Sequence, residues 1–451
     1  MSLRRRPLIA LAAALFAAPA LAAEEKPVSF FNDVRPIFVS NCNACHKAEK
    51  TKGDLDMTAH ALLMKGGKHG STVVPGDPGK SKLLKMISGP EPEMPDDGDP
   101  LKPEQVKLIE RWIKEGAVDD TPKAGTLKVE TPKYLAPPVV TTMAFSPDGS
   151  MLAVSGYHEV LLHKPDGSGI IGRLIGEIPR IESIAFNADG SRLAVAGGAP
   201  AEFGQVQVWD PKTQKVDKVF QFSTDTLYGV SFAPDGKSVA FGGADKVVRR
   251  VNLEDGKLLL DFRAHADWVL GTAFTMDGKH LVSGGRDKAI KYVDLEHQQF
   301  IDDVNNPLEQ VIAFARHPKE DLIAYGGDLG TPRMYKISDN QGRTAGRNDT
   351  NLRQTWERQP GPASAIAFSP DGERIAIGTT GEVRVYGVKD PKRLLQITSG
   401  ITGPVFALAW APDGKTLAAA GFDGKVRLFS ADKGDLVKEF SPVPIDATAA
   451  K

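Results

Sequence analysis

The stretch Phe145-Ser146-Pro147-Asp148-Gly149 recurs along most of the chain and decides the fold of its larger part. Each copy begins with an aromatic residue, and most copies end in Asp-Gly, a pair that favours the tight turn of a β-hairpin. The copy at 314–318 is degraded to Phe-Ala-Arg-His-Pro. The copies occupy residues 145–149, 186–190, 232–236, 274–278, 314–318, 368–372 and 410–414.

The spacing of these copies predicts an architecture. Most intervals between their aromatic residues are 40 to 46 residues, and one is 54. Four-stranded propeller blades repeat about every 40–45 residues. The sequence therefore predicts an all-β, seven-bladed propeller over residues 139–445, with 435–440 as the outer strand of the last blade. Residues 127–130 are either a strand added to an edge or part of a linker, and the way the ring closes stays open.

Part of this repeat region resembles a WD40 repeat. The resemblance implies that Asp245, Asp287 and Asp423 are structural turn residues, hydrogen-bonded to a neighbouring strand or to a histidine such as His265, and not catalytic carboxylates. The residues that carry the resemblance are 264–269, 285–288 and 292–294.

The longest interval contains a polar insertion, residues 338–359. Its arginines indicate either a solvated loop or a docking surface for a partner or for the other domain. These arginines are Arg343, Arg347, Arg353 and Arg358.

A second motif, Cys42-Asn43-Ala44-Cys45-His46, uses both cysteines of the chain. The Cys-x-x-Cys-His pattern is typical of c-type haem attachment, with the two thiols bound to the haem and His46 as the proximal iron ligand. A dithiol redox pair would need a preceding strand of a thioredoxin-like unit, and a four-thiolate zinc site would need a second cysteine pair. The motif therefore predicts one covalently attached haem c.

The residues around this motif predict a small all-α domain over 28–118, the first part of a multidomain chain. Residues 32–38 have the apolar spacing of a short helix, and Lys102-Pro103-Glu104 has the features of a helix start. The second helix is predicted to end at Gly116. Its apolar face comprises Val106, Ile109, Trp112 and Ile113.

The sixth iron ligand is open to several side chains. Met94 is favoured because Glu93-Met94-Pro95 is a turn just before the final helix, and a thioether ligand would raise the reduction potential relative to a second histidine. Met86 and His69 are the main alternatives. The other candidates within the domain are Met57, Met64 and His60.

The motifs of this domain resemble, in order, the planctomycete-type cytochrome c domain. The resemblance implies fusion to other extracytoplasmic modules, including propellers, and a distal ligand from the Met-Pro motif. Asp96 stands where that family commonly has a second proline, which predicts a slightly less restrained loop. The matching segments are 36–38, 42–46, 52–55, 74–78, 81–83, 93–95 and 111–113.

The N-terminus predicts export. Arg4, Arg5 and Arg6 precede an apolar run that ends in Ala20-Leu21-Ala22, the pattern of a secretory signal peptide over residues 1–22. The run is shorter than the roughly 20 residues of a membrane span, so we expect no stable span after cleavage. The protein is therefore expected to be periplasmic or otherwise extracytoplasmic. Residues 119–138 contain several prolines and are predicted to be a linker that holds the domains apart.

Composition narrows the function classes. The formal net charge is −1, which makes nucleic acid an unexpected partner. Two hypotheses remain: an electron-transfer protein whose propeller docks a redox partner or another exported protein, and a haem-containing oxidoreductase whose propeller carries a substrate site. The first is favoured because the propeller histidines are scattered, and no catalytic residues are predicted.

Overall fold

A computed structural model describes residues 26–43, 45–47, 50–57, 60–96, 99–120, 129–305, 308–337 and 349–446. The chain divides into two compact units, Met1–Thr121 and Pro122–Lys451. The predicted signal peptide lies outside the described residues. Within the described ranges, no helix has the length and apolar character that a membrane crossing requires.

Unit 1 is a small helical domain. A π-helical turn at Phe30–Val34 leads directly into the first α-helix, and short 3-10 turns occur at Lys52–Asp54 and Pro78–Lys80. The unit is not wholly α, because two-residue strands β1 (His46–Lys47) and β2 (Lys50–Thr51) pair antiparallel. The helices are α1 (Arg35–Asn41), α2 (His60–Lys65), α3 (Lys82–Ile87) and α4 (Pro103–Lys114).

The two ends of unit 1 pack on each other. Helix α4 begins at Pro103, where the Gln105 side chain accepts a hydrogen bond from the Lys102 N–H at 2.9 Å. The Trp112 ring on α4 is fully buried, and its centroid lies 5.3 Å from that of Phe30. The terminal helical segments therefore share one apolar core.

Unit 2 is built from antiparallel sheets. Five sheets have four strands each, paired in chain order, and one has seven strands, β3 to β9. The strands are β3 (Met143–Phe145), β4 (Leu152–Ser155), β5 (Tyr157–His163), β6 (Ile170–Phe186), β7 (Leu193–Ala199), β8 (Phe203–Asp210), β9 (Lys215–Ser223), β10 (Leu227–Phe232), β11 (Ser238–Gly243), β12 (Val248–Asn252), β13 (Leu258–Phe262), β14 (Val269–Phe274), β15 (His280–Gly285), β16 (Ile290–Asp294), β17 (Gln299–Asp303), β18 (Val311–Arg316), β19 (Leu322–Gly327), β20 (Arg333–Lys336), β21 (Leu352–Thr355), β22 (Ala365–Phe368), β23 (Arg374–Thr379), β24 (Glu382–Gly387), β25 (Arg393–Ile397), β26 (Val405–Trp410), β27 (Thr416–Gly421), β28 (Val426–Ser430) and β29 (Leu436–Phe440).

The long strand β6 explains the seven-stranded sheet. Its first half, from Ile170 to Ile175, pairs with β5, and its second half, from Ile181 to Phe186, pairs with β7. Neighbouring sheets share apolar cores, and the first and last sheets also share one, in which Val154 and Met143 pack with Ala418 and Leu428. Unit 2 is therefore β-propeller-like, which agrees with the predicted all-β repeat domain.

The repeated motif forms the turn between the first two strands of each group. In the first copy, Asp148 Oδ1 accepts hydrogen bonds from the Ser146 hydroxyl at 2.6 Å and from the Ser150 N–H at 3.0 Å. The glycine that follows each turn aspartate has φ between 67° and 77°, a conformation that glycine adopts at no steric cost. The degraded copy uses His317 instead, whose Nδ1 accepts from the N–H groups of Lys319 and Glu320.

The aspartates implied by the WD40 resemblance have structural partners. Asp287 accepts from His265 Nδ1 at 2.9 Å, and His265 Nε2 lies 2.8 Å from the Ser283 hydroxyl. Asp245 and Asp423 instead pair with an arginine four residues later, Arg249 at 2.7 Å and Arg427 at 2.5 Å respectively.

The end of the predicted linker packs on unit 2. Tyr134 is buried, pairs with Ile445 as an isolated parallel bridge, and donates a hydrogen bond from its hydroxyl to Glu159 at 2.7 Å. The fully buried Glu159 carboxylate also receives two hydrogen bonds from Arg173, each at 2.6 Å.

Two other predicted segments have different outcomes. The predicted outer strand at residues 435–440 corresponds to β29, Leu436–Phe440. Residues 127 and 128 of the possible edge strand lie outside the described residues, as do Arg343 and Arg347 of the insertion. Arg353 lies on β21, and Arg358 donates a hydrogen bond to the Leu329 carbonyl at 3.2 Å.

Candidate cofactor site

The Cys-x-x-Cys-His motif forms a tight turn directly after α1. The Cys42 N–H donates to the Phe38 carbonyl at 2.8 Å, and the Cys42 carbonyl accepts from the N–H groups of Cys45 at 3.1 Å and His46 at 3.0 Å. Ala44, between them, lies outside the described residues. The helix end and the turn therefore hold both thiols and the imidazole within one short stretch of backbone.

These side chains line a cavity of about 530 Å³, within the usual size range of small-molecule and cofactor sites. Its other walls are largely aliphatic, from Leu55, Leu83, Ile87 and Leu101. The sulfur and imidazole side chains on the same cavity are Cys42, Cys45, His46, Met57, His69, Met86 and Met94.

The imidazole of His46 lacks one polar partner. Its Nδ1 atom is buried and finds no hydrogen-bond partner among the described residues. The His46 carbonyl accepts from the Met57 N–H at 2.9 Å, which fixes the backbone at this position. Two thiols, two imidazoles and three thioethers on one cavity include the donor set of haem c. The residues present therefore fit the predicted cofactor.

The two thiols are not joined to each other. Burial raises the pKa of the Cys42 thiol to about 11, so this group is protonated at neutral pH. Both cysteines are therefore available for thioether formation.

The structure divides the six candidates for the sixth ligand into two groups. Met57, His69, Met86 and Met94 line the cavity. Met64 packs against the core of unit 1 and is not among the cavity-lining residues.

His60 also belongs to the second group. Its ring lies edge-on to Phe30 and Trp112, and its Nε2 lies 2.8 Å from the Ala117 carbonyl. His60 thus has a structural role at the junction of the terminal helices.

The loop that carries Met94 is tied to α3. The Met94 N–H donates to the Met86 carbonyl at 2.9 Å. Met86 and Met94 therefore lie on backbone segments that are directly hydrogen-bonded to each other.

A model of the planctomycete cytochrome C family matches residues 42–98. These residues are similar to a planctomycete-type cytochrome c domain, as the sequence motifs predict. The match begins at Cys42, so it spans the cysteine motif and the three cavity-lining thioethers of Met57, Met86 and Met94. A second model, of the β-propeller that forms the N-terminal domain of nucleolar protein 10-like proteins, matches residues 270–449. The two matches agree with the expected fusion of a cytochrome c domain to a β-propeller. No curated protein matches the chain significantly.

Unit 2 has a cavity of its own, of about 480 Å³. Its lining residues come from seven strands. Five of these are the first strands of the four-stranded sheets, and the other two belong to the seven-stranded sheet, namely its first strand and the second half of its long strand. The seven strands are β3, β6, β10, β14, β18, β22 and β26. Its charged residues are Arg180 and Glu182, which form an ion pair at 2.5 Å, and the Tyr228 ring stacks on Trp268. Among the described residues, no three His, Cys, Asp or Glu side chains are grouped to hold a metal ion.

Sequence reasoning did not identify this second cavity or the aliphatic walls of the first. The cavity of unit 2 depends on seven strands far apart in the chain, and no local pattern marks them. The sequence also does not indicate that Lys52 and Asp96, which both line the cofactor cavity, pair with each other, because an exposed lysine and an exposed aspartate have no distinctive spacing.

Proposed function

We propose that this protein is an exported electron-transfer cytochrome. In this proposal Cys42 and Cys45 form thioether bonds to one haem c, His46 is the proximal iron ligand and Met94 is the distal ligand. The observation that carries the proposal is that all four side chains line one cavity of suitable size.

The bound haem would supply a one-electron redox centre. The chain's own residues determine its surroundings: the two thiols retain the cofactor covalently, and the half-buried His46 imidazole offers a nitrogen ligand from a backbone held by hydrogen bonds. Aliphatic walls from Leu55, Leu83 and Leu101 exclude water, and a low-dielectric site with a thioether ligand favours a higher reduction potential.

We interpret the sheets of unit 2 as seven blades of a closed ring of the WD40 type. The seven-stranded sheet then counts as two blades that share β6. Support comes from the core shared by the first and last sheets and from the cavity lined by seven strands. A rigid ring of this kind would act as the docking platform for a redox partner or another exported protein.

The proposed location is the periplasm or another extracytoplasmic compartment, after removal of residues 1–22. The support is the arginine-led apolar run and the need of apocytochromes for attachment outside the cytoplasm. Export and haem attachment then depend on each other.

Intact mass of the protein purified from an export-competent host tests this proposal. We expect the mass of the chain without its leader, increased by one haem that survives denaturation, and a bare chain mass after replacement of both Cys42 and Cys45 by Ala. A haem that dissociates on denaturation, or a retained leader, would contradict the proposal.

The second candidate is an oxidoreductase with a substrate site in the propeller. The ion pair of Arg180 and Glu182 in the cavity of unit 2 is the observation in its favour. Metal analysis distinguishes the two: iron alone, equimolar with the chain, supports the electron carrier, and a second metal or chromophore supports the enzyme.

A further inference from the structure

An ion pair also holds the loop that carries Met94, in addition to the backbone hydrogen bond between Met94 and Met86. The Asp96 carboxylate accepts a hydrogen bond from the Lys52 ammonium at 3.0 Å. Asp96 is two residues beyond Met94, and both charged side chains line the cofactor cavity. The ion pair therefore holds the loop at the point where it passes the cavity.

Lys52 is itself anchored to the cysteine motif. Its backbone N–H donates to the Cys45 carbonyl at 3.1 Å, and it begins the 3-10 turn Lys52–Asp54. Lys52 thus connects the turn that carries Cys45 and His46 with the loop that carries Met94.

The pair lies at the surface. The side chain of Lys52 is 49% exposed and that of Asp96 is 67% exposed. Exposed ion pairs contribute little to the stability of a fold and weaken as salt increases. A weak, salt-sensitive ion pair can favour one position of the loop that carries Met94, and its loss would not prevent the domain from folding.

We propose that Lys52 and Asp96 are positioning residues that keep the Met94 thioether at the iron in competition with small external ligands. This inference rests on the proposed function, specifically on haem attachment and Met94 ligation. A loop that leaves the iron more often exposes the open coordination position for a larger fraction of time, and the apparent affinity of an external ligand rises by the same factor.

The affinity of the oxidised protein for imidazole measures how much more often the Met94 loop leaves the iron. The variants are Lys52→Gln, Asp96→Asn and the exchange Lys52→Asp with Asp96→Lys, compared with wild type at low ionic strength of about 0.01 M. Each single variant is expected to bind imidazole roughly two- to five-fold more tightly, as the loss of an exposed ion pair implies. The exchange variant is expected to return toward wild type.

A matched control is Lys80→Gln, which breaks the exposed pair between Lys80 and Asp77 at 2.9 Å outside the cavity lining. This variant is expected to bind imidazole as wild type does. Wild type at about 1 M salt, where charges are screened within about 3 Å, is expected to approach the affinity of the single variants. This salt titration needs no substitution and keeps the inference testable if a variant attaches no haem.

Unchanged imidazole affinity in the single variants and at high salt would overturn the positioning role. The absorption spectrum of oxidised wild type distinguishes that failure from a failure of the proposed function. If wild type lacks the charge-transfer absorption of thioether-bound iron, Met94 ligation itself is wrong. If wild type has this absorption and the imidazole affinities are unchanged in the variants and at high salt, only the role of Lys52 and Asp96 is wrong.

Discussion

The backbone N–H of Met94 donates a hydrogen bond to the carbonyl of Met86 at 2.9 Å. This bond joins the loop before α4 to the last turn of α3, so both thioethers lie on the wall of the cofactor cavity. Position on the cavity wall therefore does not distinguish Met86 from Met94 as the sixth iron ligand, whereas substitution of each residue does.

Met94→Ala should abolish the thioether charge-transfer absorption of the oxidised protein and lower its reduction potential, because the iron loses its sulfur ligand. Met86→Ala is the matched control and should keep the absorption. The measurement is the visible spectrum with a redox titration of each variant. The opposite pattern, with the absorption lost only in Met86→Ala, would reassign the ligand to Met86, and retention in both variants would point to Met57.

Trp112→Ala should destabilise unit 1 by about 3–5 kcal/mol, the usual cost of removing a fully buried aromatic ring. Trp112 is fully buried, stacks near Phe30, and donates from its indole nitrogen to the Val118 carbonyl at 3.1 Å. Trp112→Phe keeps part of the ring packing and should lose less. Denaturant unfolding monitored by a unit 1 probe tests this, and a loss below about 1 kcal/mol in Trp112→Ala would contradict the packing described.

Arg173→Ala should destabilise unit 2 by about 3–5 kcal/mol, because it leaves the Glu159 carboxylate buried without its cation. Arg192→Ala is the control, since its pair with Asp217 at 3.4 Å is about 40% exposed and should be worth less than about 1 kcal/mol. Denaturant unfolding of both variants provides the comparison. Equal losses of unfolding free energy in the two variants would mean that burial does not determine how much the Arg173–Glu159 pair stabilises unit 2.

Glu182 should make the stability of unit 2 depend on pH. Burial raises the pKa of Glu182 from 4.5 to about 7, although the nearby Arg180 opposes the shift. The folded state therefore binds a proton more tightly than the unfolded state, so this contribution is complete below about pH 4.5 and is lost as the pH rises to about 7. Its full size is roughly 3 kcal/mol at about 1.4 kcal/mol per pKa unit.

The matched variant for this effect is Glu182→Gln, which keeps the side-chain shape and removes the titration. The free energy of unfolding of wild type should fall between pH 4.5 and 7 relative to that of the variant, measured by urea unfolding at several pH values. Parallel curves for the two proteins would show that Glu182 ionises freely in the folded state.

Much of the architecture could be predicted because it depends on local chemistry. The Asp-Gly turns need glycine at positive φ, and helix α4 begins at a proline followed by an acidic residue, so both leave a pattern in a short stretch of sequence. The cysteine motif is equally local. Met94 was favoured from its position in a turn, and the structure places it on the cavity together with Met86 and His69.

Other features depend on contacts between distant residues and could not be predicted. Strand β6 continues through two groups of strands, although Gly176 and Pro179 lie between the part paired with β5 and the part paired with β7, and although the repeat suggests separate blades. The prolines around Tyr134 predict a linker, but its hydroxyl donates a buried hydrogen bond to the Glu159 carboxylate. The tie between Lys52 and Asp96 likewise connects residues 44 positions apart.

A spectroelectrochemical titration of the exported, purified protein tests whether the chain carries one covalently attached, redox-active haem. We expect one reversible one-electron transition of a single haem that remains bound after denaturation. A protein without a redox-active haem absorption, or with more than one haem transition, would contradict it.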